Sequence, residues 1–87
     1  MTPEEMDEKA DEYDGEMMRM SGYDDCCIGV VERFGMNPIF CYDVEKVVKK
    51  NMSMGMSEDD AWEYFHINQL SAWVGKGTPC FIFLGET

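Results

Sequence analysis

Two short runs of β-forming residues on either side of a turn sequence constrain the fold of this chain more than any other feature. The first run extends from Cys26 to Phe34 and the second from Pro38 to Tyr42, and together they are rich in valine, isoleucine, phenylalanine and cysteine. The sequence Gly35-Met36-Asn37-Pro38 separates them, and glycine, asparagine and proline are typical of turns. The pattern predicts a β-hairpin.

The residues before the hairpin predict an amphipathic helix over about residues 3–20. Thr2-Pro3-Glu4-Glu5 supplies an N-cap, a proline at the first helical position and a glutamate three residues after the cap. Apolar residues then recur on one narrow stripe, and carboxylates cover the other faces. Gly15 weakens the helix by up to ~1 kcal/mol relative to alanine, and Ser21-Gly22 ends it. The stripe consists of Met6, Ala10, Tyr13, Met17 and Met20.

Two further helices are predicted after the hairpin. Asp43 caps a short helix that ends near Met52, with valines on its inner face and lysines on its outer face. Ser57 caps a third helix, whose acidic first turn suits the positive end of the helix dipole and which extends to about Gly75. The one basic patch of the sequence consists of Lys46, Lys49 and Lys50.

Apolar side chains occur on two sides of the third helix, so both sides need cover. The first side consists of Ala61, Trp62, Phe65, Ala72 and Trp73, and the second of Tyr64, Ile67, Leu70 and Val74. We expect this helix to lie between the sheet and the first helix, because so small a domain needs most of its apolar residues in the core. The alternative is that one side, with its tryptophan, is a dimer or partner interface.

The final segment, Thr78 to Leu84, predicts a third strand. The order α-β-β-α-α-β then indicates a small single α+β domain over residues 1–87, with a mostly antiparallel sheet of about three strands packed by helices. Residues 1–21 form the acidic helix, and residues 22–87 the hairpin, two helices and the final strand. A domain of this size buries only roughly 60–65% of the surface of its unfolded chain, so support from self-association or a partner is expected.

The acidic residues are concentrated at the N-terminus. Ten of the eighteen lie in the first 25 positions beside only Lys9 and Arg19, which gives this segment a net charge of −8 out of −11. Such a charge argues against nucleic acid or an anionic membrane as a direct partner, and for a basic protein surface or simple solubility. The apolar runs are too short to span a bilayer and the N-terminus is unlike a secretory signal, so we expect a cytoplasmic protein with reduced thiols.

Two motifs with chemical potential have simpler structural interpretations. Glu63 and His66 have a spacing that places two metal ligands on adjacent helix turns, but the sequence has no second copy of the motif and no other histidine. Gly75-Lys76-Gly77-Thr78 is similar to a phosphate-binding loop, yet it lacks the upstream glycine and the following helix. We expect two solvent-facing side chains and a tight turn between helix and strand.

No catalytic group is predicted either. Asp24 and Asp25 are adjacent, so on a strand their carboxylates point to opposite faces, and we expect them to begin the first strand in contact with solvent. The adjacent thiols of Cys26 and Cys27 have no flanking cationic residue that would activate them. We therefore predict a non-enzymatic protein without a metal ion or a cofactor.

A pattern of short motifs extends over roughly residues 22–83. It consists of Tyr23-Asp24-Asp25, Glu32-Arg33-Phe34-Gly35-Met36, Tyr42-Asp43, Gly55-Met56-Ser57, Glu63-Tyr64-Phe65 with Asn68, Ala72-Trp73-Val74-Gly75 and Gly77-Thr78-Pro79. In this pattern the chain resembles a family of small proteins of phages, prophages and bacterial mobile elements whose activity is not established. The resemblance implies a genomic setting in which small acidic proteins often block host defences. It assigns no functional residue, and the acidic first helix lies outside it.

The leading functional hypothesis is a small acidic binding protein that occupies the basic, nucleic-acid-binding site of a target protein in the host cytoplasm and so inhibits a host defence. A helix over residues 3–20 is about 27 Å long and carries one net negative charge per roughly 4.5 Å. Single-stranded DNA carries one per ~3.4 Å. The partner-binding candidates on this hypothesis are Glu4, Glu5, Glu8, Asp11, Glu12, Asp24 and Asp25.

The alternative hypothesis is a homo-oligomeric assembly module that uses the aromatic helix over residues 57–74. Trp62 or Trp73 is then the anchor of a dimer or of a partner, and the acidic helix keeps the protein soluble. A third hypothesis, with the least support in the sequence, is a binder of small molecules or a minor enzyme. Its candidate residues are Tyr23, Asp25, Glu63 and His66.

Overall fold

The computed structural model describes residues 1–85, whose elements follow the predicted order. Three helices and a three-stranded sheet form one small domain, so the predicted α+β class is confirmed. A 3₁₀ turn, Asp24–Cys26, precedes the first strand, and a π-helical turn, Phe65–Gln69, follows the third helix. The bounds are Pro3–Glu12 for α1, Cys27–Arg33 for β1, Met36–Asp43 for β2, Val44–Ser53 for α2, Glu58–Tyr64 for α3 and Cys80–Ile82 for β3.

The predicted hairpin is present, but its turn comes earlier than expected. β1 and β2 pair antiparallel up to Arg33 opposite Met36, which leaves Phe34 and Gly35 as the turn. Gly35 has a φ angle of 72°, a left-handed conformation that favours glycine. The prediction that residues 36–38 belong to the turn is therefore wrong, since β2 already begins at Met36. Phe34 lies at the tip of the hairpin, not in the strand, and its side chain is fully exposed.

β3 lies beside β2 and runs parallel to it, so the sheet is mixed and has the strand order β1-β2-β3. A parallel neighbour requires a long crossover connection, and the chain makes it through α2 and α3. The register places Cys41 opposite Cys80 and Asp43 opposite Ile82. β3 is thus an edge strand of three residues, shorter than the predicted strand from Thr78 to Leu84.

α1 is also shorter than predicted, because it ends at Glu12 and not near residue 20. Asp14 and Gly15 both have positive φ angles, of 52° and 78°, which a right-handed helix cannot accommodate. Residues 13–23 therefore form an irregular connection. Met6 and Met17 of the predicted stripe are nevertheless both buried in the core, Met17 from this connection. The glycine that weakens the helix in the sequence lies just beyond its end in the structure.

The third helix is not the single helix to Gly75 that the sequence predicts. Beyond α3 the backbone widens into the π turn, in which the Leu70 N–H donates to the Phe65 carbonyl at 2.7 Å. This wider turn places the Gln69 side chain beside Asn51, which is fully buried in α2. Irregular chain then leads over residues 72–79 to β3.

The core lies between one face of the sheet and the helices. Phe40 and Tyr42 of β2 belong to it together with Met6 of α1, Val47 of α2 and Phe65 of the π turn. We name residues 58–74, which include α3 and the π turn, the third helical region. One side of this region has no such cover, so the prediction that both of its sides are covered by the sheet and the first helix is wrong. The exposed side consists of Tyr64, Ile67, Leu70 and Val74.

Candidate interaction surfaces

α1 presents an acidic surface to solvent. A capping box fixes its start: the Glu5 N–H donates to Thr2 Oγ1 at 3.2 Å, and the Thr2 N–H donates to Glu5 Oε1 at 3.0 Å. The hydrogen bond from the Thr2 backbone is the main reason that the pKa of Glu5 is lowered. Lys9 is the one basic residue of the helix, and its Nζ lies 3.5 Å from Glu12. The exposed carboxylates are those of Glu4, Glu5, Asp7, Glu8, Asp11 and Glu12.

Asp24 and Asp25 are held in ion pairs and do not extend this surface as free carboxylates. The Arg19 guanidinium bridges Asp7 of α1 and Asp24, the latter at 2.7 Å. Lys50 of α2 donates to the Asp25 carboxylate at 3.0 Å, and this bond lowers the pKa of Asp25. Both aspartates lie in the 3₁₀ turn, so the prediction that they begin the first strand is wrong. The acidic surface that remains unpaired is mainly that of α1.

The two tryptophans have different environments. Trp62 is half-buried, and its ring packs edge-on against Phe65 with 6.3 Å between the centroids and stacks on His66 at 5.9 Å. Trp73 follows the π turn and is 70% exposed. Of the two predicted anchors, Trp73 is therefore accessible to a partner, whereas Trp62 belongs to the edge of the core.

Trp73 lies in a short stretch of exposed apolar residues that we name the apolar segment. Ile67, Leu70 and Val74 are each between 50% and 60% exposed. Phe83 and Leu84, which follow β3, are exposed to a similar extent. Monomeric soluble proteins rarely leave so many large apolar side chains uncovered within one short stretch, and such surfaces are typical of interaction sites. The apolar segment consists of Ile67, Leu70, Trp73 and Val74.

A groove with a volume of about 360 Å³ borders the apolar segment. Val74 and Phe81 line one part of it, and Met20 and Tyr23 line another. The Tyr23 hydroxyl proton is already donated to Asn51 Oδ1 at 2.6 Å, and the lining of the groove is mainly apolar. The groove therefore suits an apolar group better than a polar small molecule.

The residues of the small-molecule hypothesis are not brought to one cavity. Tyr23 lines the apolar groove, and Asp25 is paired with Lys50 on another part of the surface. Glu63 and His66 are exposed on the third helical region, as predicted. Within residues 1–85, no three side chains of His, Cys, Asp or Glu lie close enough together to hold a metal ion.

The glycine-rich motif before β3 forms a tight turn, as predicted. The Thr78 N–H donates to the Gly75 carbonyl at 3.1 Å, and Thr78 Oγ1 accepts a hydrogen bond from the Val74 N–H at 2.9 Å. The Gly77 carbonyl accepts a hydrogen bond from the Met18 N–H at 3.1 Å. These backbone groups are thus used inside the fold, where they join the end of the apolar segment to the connection after α1.

All four cysteines of the described chain are free thiols. Burial raises the pKa of Cys26 to about 11 and also raises that of Cys27. Burial, with a smaller effect of the neighbouring Cys80 thiol, raises the pKa of Cys41 to about 12. At neutral pH these three groups are protonated, which makes them poor nucleophiles.

Two features of these surfaces are missing from the sequence-based prediction. Phe34 is predicted inside a strand, but Gly35 is a signal for a two-residue turn that places Phe34 at the tip of the hairpin. The bridge that Arg19 makes between Asp7 and Asp24 has no signal in the sequence. It depends on how the connection after α1 folds back.

Comparison of the chain with protein-family models, with curated proteins and with solved structures finds no match. The resemblance to small proteins of phages and mobile elements therefore stays a prediction. Within residues 1–85, the structure has no helix with the length and apolar character needed to cross a bilayer.

Proposed function

We propose that this protein is a non-enzymatic interaction module that pairs with a second copy of itself through the apolar segment. The observation that carries the proposal is the exposure of Trp73 together with Ile67, Leu70 and Val74 in one short stretch of the chain. Burial of a large apolar side chain is worth about 1.5–3 kcal/mol, and tryptophan is among the residues most enriched in interface hot spots. Trp73 is accordingly the anchor of the interface.

The distribution of charge favours a second copy as the occupant. Residues 61–85 contain one acidic and one basic residue, Glu63 and Lys76, although the whole chain has a net charge of −11. Two apolar segments can therefore face each other without bringing many like charges together, while the carboxylates of α1 stay in water. Twofold pairing is also the commonest arrangement of soluble homo-oligomers.

The available area indicates a weak dimer. A stable interface takes about 800 Å² from each partner, and even a fully buried large aromatic side chain contributes only about 150–250 Å². The apolar segment alone falls short of this area, so we expect Phe83 and Leu84 to extend it. Interfaces at the small end of the scale are typical of weak or transient complexes, so we expect the dimer to dissociate on dilution.

Size-exclusion chromatography with light scattering tests the proposal over a series of protein concentrations. We expect a reversible rise from monomer to dimer mass, and Trp73→Ala to weaken the dimer by about tenfold or more. Met52→Ser is the matched control, because it removes another exposed apolar side chain from α2. A monomer at all concentrations, or a dimer that Trp73→Ala leaves unchanged, would contradict the proposal.

A second function is favoured by the shape of α1. The observed helix of ten residues is about 15 Å long and carries six carboxylates, two of which are offset by Lys9 and Arg19. This leaves one net negative charge per roughly 3.8 Å. This density is higher than the sequence predicts and close to the ~3.4 Å spacing of single-stranded DNA. It supports a nucleic-acid mimic that occupies a basic site of a target protein, as in the inhibition of a host defence in the cytoplasm.

The mimic is tested by capture of target proteins from a nuclease-treated bacterial lysate, followed by elution with single-stranded DNA. We expect a retained protein to be released both by DNA and by high salt. The variant Glu4→Lys, Glu8→Lys, Asp11→Lys should retain nothing. The control variant Glu32→Lys, Asp59→Lys, Glu63→Lys changes the net charge equally at exposed positions elsewhere. Retention that resists both DNA and salt would exclude mimicry.

A further inference from the structure

Cys41 of β2 and Cys80 of β3 are direct neighbours across the parallel strand pair. Directly opposed residues of neighbouring strands project to the same face of a sheet, so the two side chains lie next to each other. The Cys80 thiol is close enough to contribute to the raised pKa of Cys41. Neighbouring strands lie about 4.7–4.9 Å apart, and disulfides form between residues whose Cα atoms are about 4.4–6.8 Å apart. The pair therefore has the spacing that a disulfide needs without any rearrangement of the sheet.

We propose that Cys41 and Cys80 are a modification site: a small-molecule disulfide, such as oxidised glutathione, converts them into a reversible intramolecular disulfide. This site goes beyond the proposed function and does not depend on it. Exposure sets the order of the two thiols. Cys80 is half-buried at the edge strand and meets the oxidant first, whereas Cys41 is buried in the central strand.

The reaction is two successive thiol–disulfide exchanges. The Cys80 thiolate attacks one sulfur of oxidised glutathione, the S–S bond of the oxidant breaks, and one glutathione leaves as a thiolate that takes up a proton. The Cys41 thiolate then attacks the Cys80 sulfur of the mixed disulfide and expels the second glutathione, which is protonated in turn. The two protein thiols lose two electrons and two protons, and the oxidant gains them as two glutathione thiols. Burial keeps Cys41 mostly protonated near neutral pH, so we expect the second exchange to become faster as the pH rises.

Cys26 and Cys27 do not compete for this reaction. Both side chains are buried, and neighbours in sequence rarely form a disulfide with each other. They are therefore internal controls within the same chain. Oxidation at Cys41 and Cys80 has a structural consequence of its own, because β3 pairs with the sheet over only three residues. A covalent link holds β3 against β2. It thereby also restrains the backbone at Phe83 and Leu84, which directly follow β3.

Mass spectrometry of the reduced full chain after treatment with oxidised glutathione tests the proposal. We expect the mass to fall by two hydrogen atoms and trypsin to release the peptides 34–46 and 77–87 as one linked species. Cys41→Ser should stop at a glutathione adduct on Cys80, because the second exchange has no thiol. Cys26→Ser should give the same link as the unchanged protein.

Three results would overturn the proposal. The first is a glutathione adduct that persists on Cys80 in the unchanged protein, which means that Cys41 cannot reach it. The second is a link that includes Cys26 or Cys27, and the third is no reaction of the folded chain. The unchanged protein decides between these results, so a Cys41→Ser variant that fails to fold does not weaken the test. Hydrogen exchange gives a separate readout, with slower exchange of the amides of residues 80–82 expected in the oxidised form.

Discussion

The side-chain amide of Asn51 donates a hydrogen bond to Gln69 Oε1 at 2.9 Å, and this bond joins α2 to the π turn. The same Asn51 amide donates to the Ala61 carbonyl at 3.3 Å, and its Oδ1 atom accepts the Tyr23 hydroxyl proton at 2.6 Å. One fully buried polar residue thus holds three parts of the chain. The start of the apolar segment is therefore fixed to the core, although its side chains are exposed.

Asn51→Ala is expected to destabilise the protein by about 2–3 kcal/mol, because the buried Tyr23 hydroxyl and the Gln69 amide lose their partner. Urea unfolding measures this loss. Asn68→Ala, an exposed position beside Gln69, is the control and should stay within about 0.5 kcal/mol of the unchanged protein. Equal stability of the two variants would show that the hydrogen bonds of Asn51 do not hold the π turn.

Gly77→Ala should destabilise the fold by about 1–3 kcal/mol, as overpacking does. A Cβ atom at this position would lie 1.6 Å from the Glu16 carbonyl oxygen, which is a backbone atom and cannot give way cheaply. Gly29→Ala is the control, since no atom lies within 4 Å of the added methyl group there. Thermal unfolding of both variants checks the difference, and a Gly77→Ala protein as stable as Gly29→Ala would contradict the close approach.

The two tryptophans should respond differently to truncation in dilute, monomeric protein. Trp62→Ala removes packing against Phe65 and is expected to cost about 2 kcal/mol of stability. This is less than the cost of truncating a fully buried aromatic side chain, because Trp62 is half-buried. Trp73→Ala should change the stability of the monomer by less than about 0.5 kcal/mol. Chemical denaturation at low protein concentration separates the two effects. A large loss for Trp73→Ala would mean that this side chain supports the fold.

The ion pair between Asp25 and Lys50 predicts a specific titration behaviour. The hydrogen bond from Lys50 lowers the pKa of Asp25 in the folded chain, so its contribution to stability is present above the ordinary value of about 3.9 and is lost as the pH falls through the lowered value. Lys50→Gln should raise the pKa of Asp25 toward the ordinary value. NMR titration of the carboxyl carbon measures it, with Lys49→Gln as the control on the same helix. An Asp25 pKa that is equal in both variants would exclude the pair.

The sequence predicts the helix starts better than the helix ends. Thr2, Asp43 and Ser57 all act as the N-caps that the sequence indicates, because a cap is a local bond between residues two or three positions apart. The ends depend on distant partners. The π turn forms where Gln69 meets Asn51, and no pattern within the third helical region contains that information.

The candidate surfaces follow the same division between local and distant causes. The acidity of α1 is a property of consecutive residues, so the sequence shows it directly. The ion pairs of Asp24 and Asp25 and the different exposure of Trp62 and Trp73 arise from contacts between separate elements. Periodicity places both tryptophans on one side of a helix, and only the irregular chain after the π turn moves Trp73 into solvent.

The fluorescence of Trp73 reports directly on pairing through the apolar segment. In a Trp62→Phe variant, which keeps an aromatic ring beside Phe65, Trp73 is the one tryptophan that emits. Pairing through the apolar segment predicts emission typical of a water-exposed indole in dilute solution and a shift to shorter wavelength as the concentration and the mass rise together. Emission that stays water-like while the mass doubles, or a mass that never rises, would contradict the account.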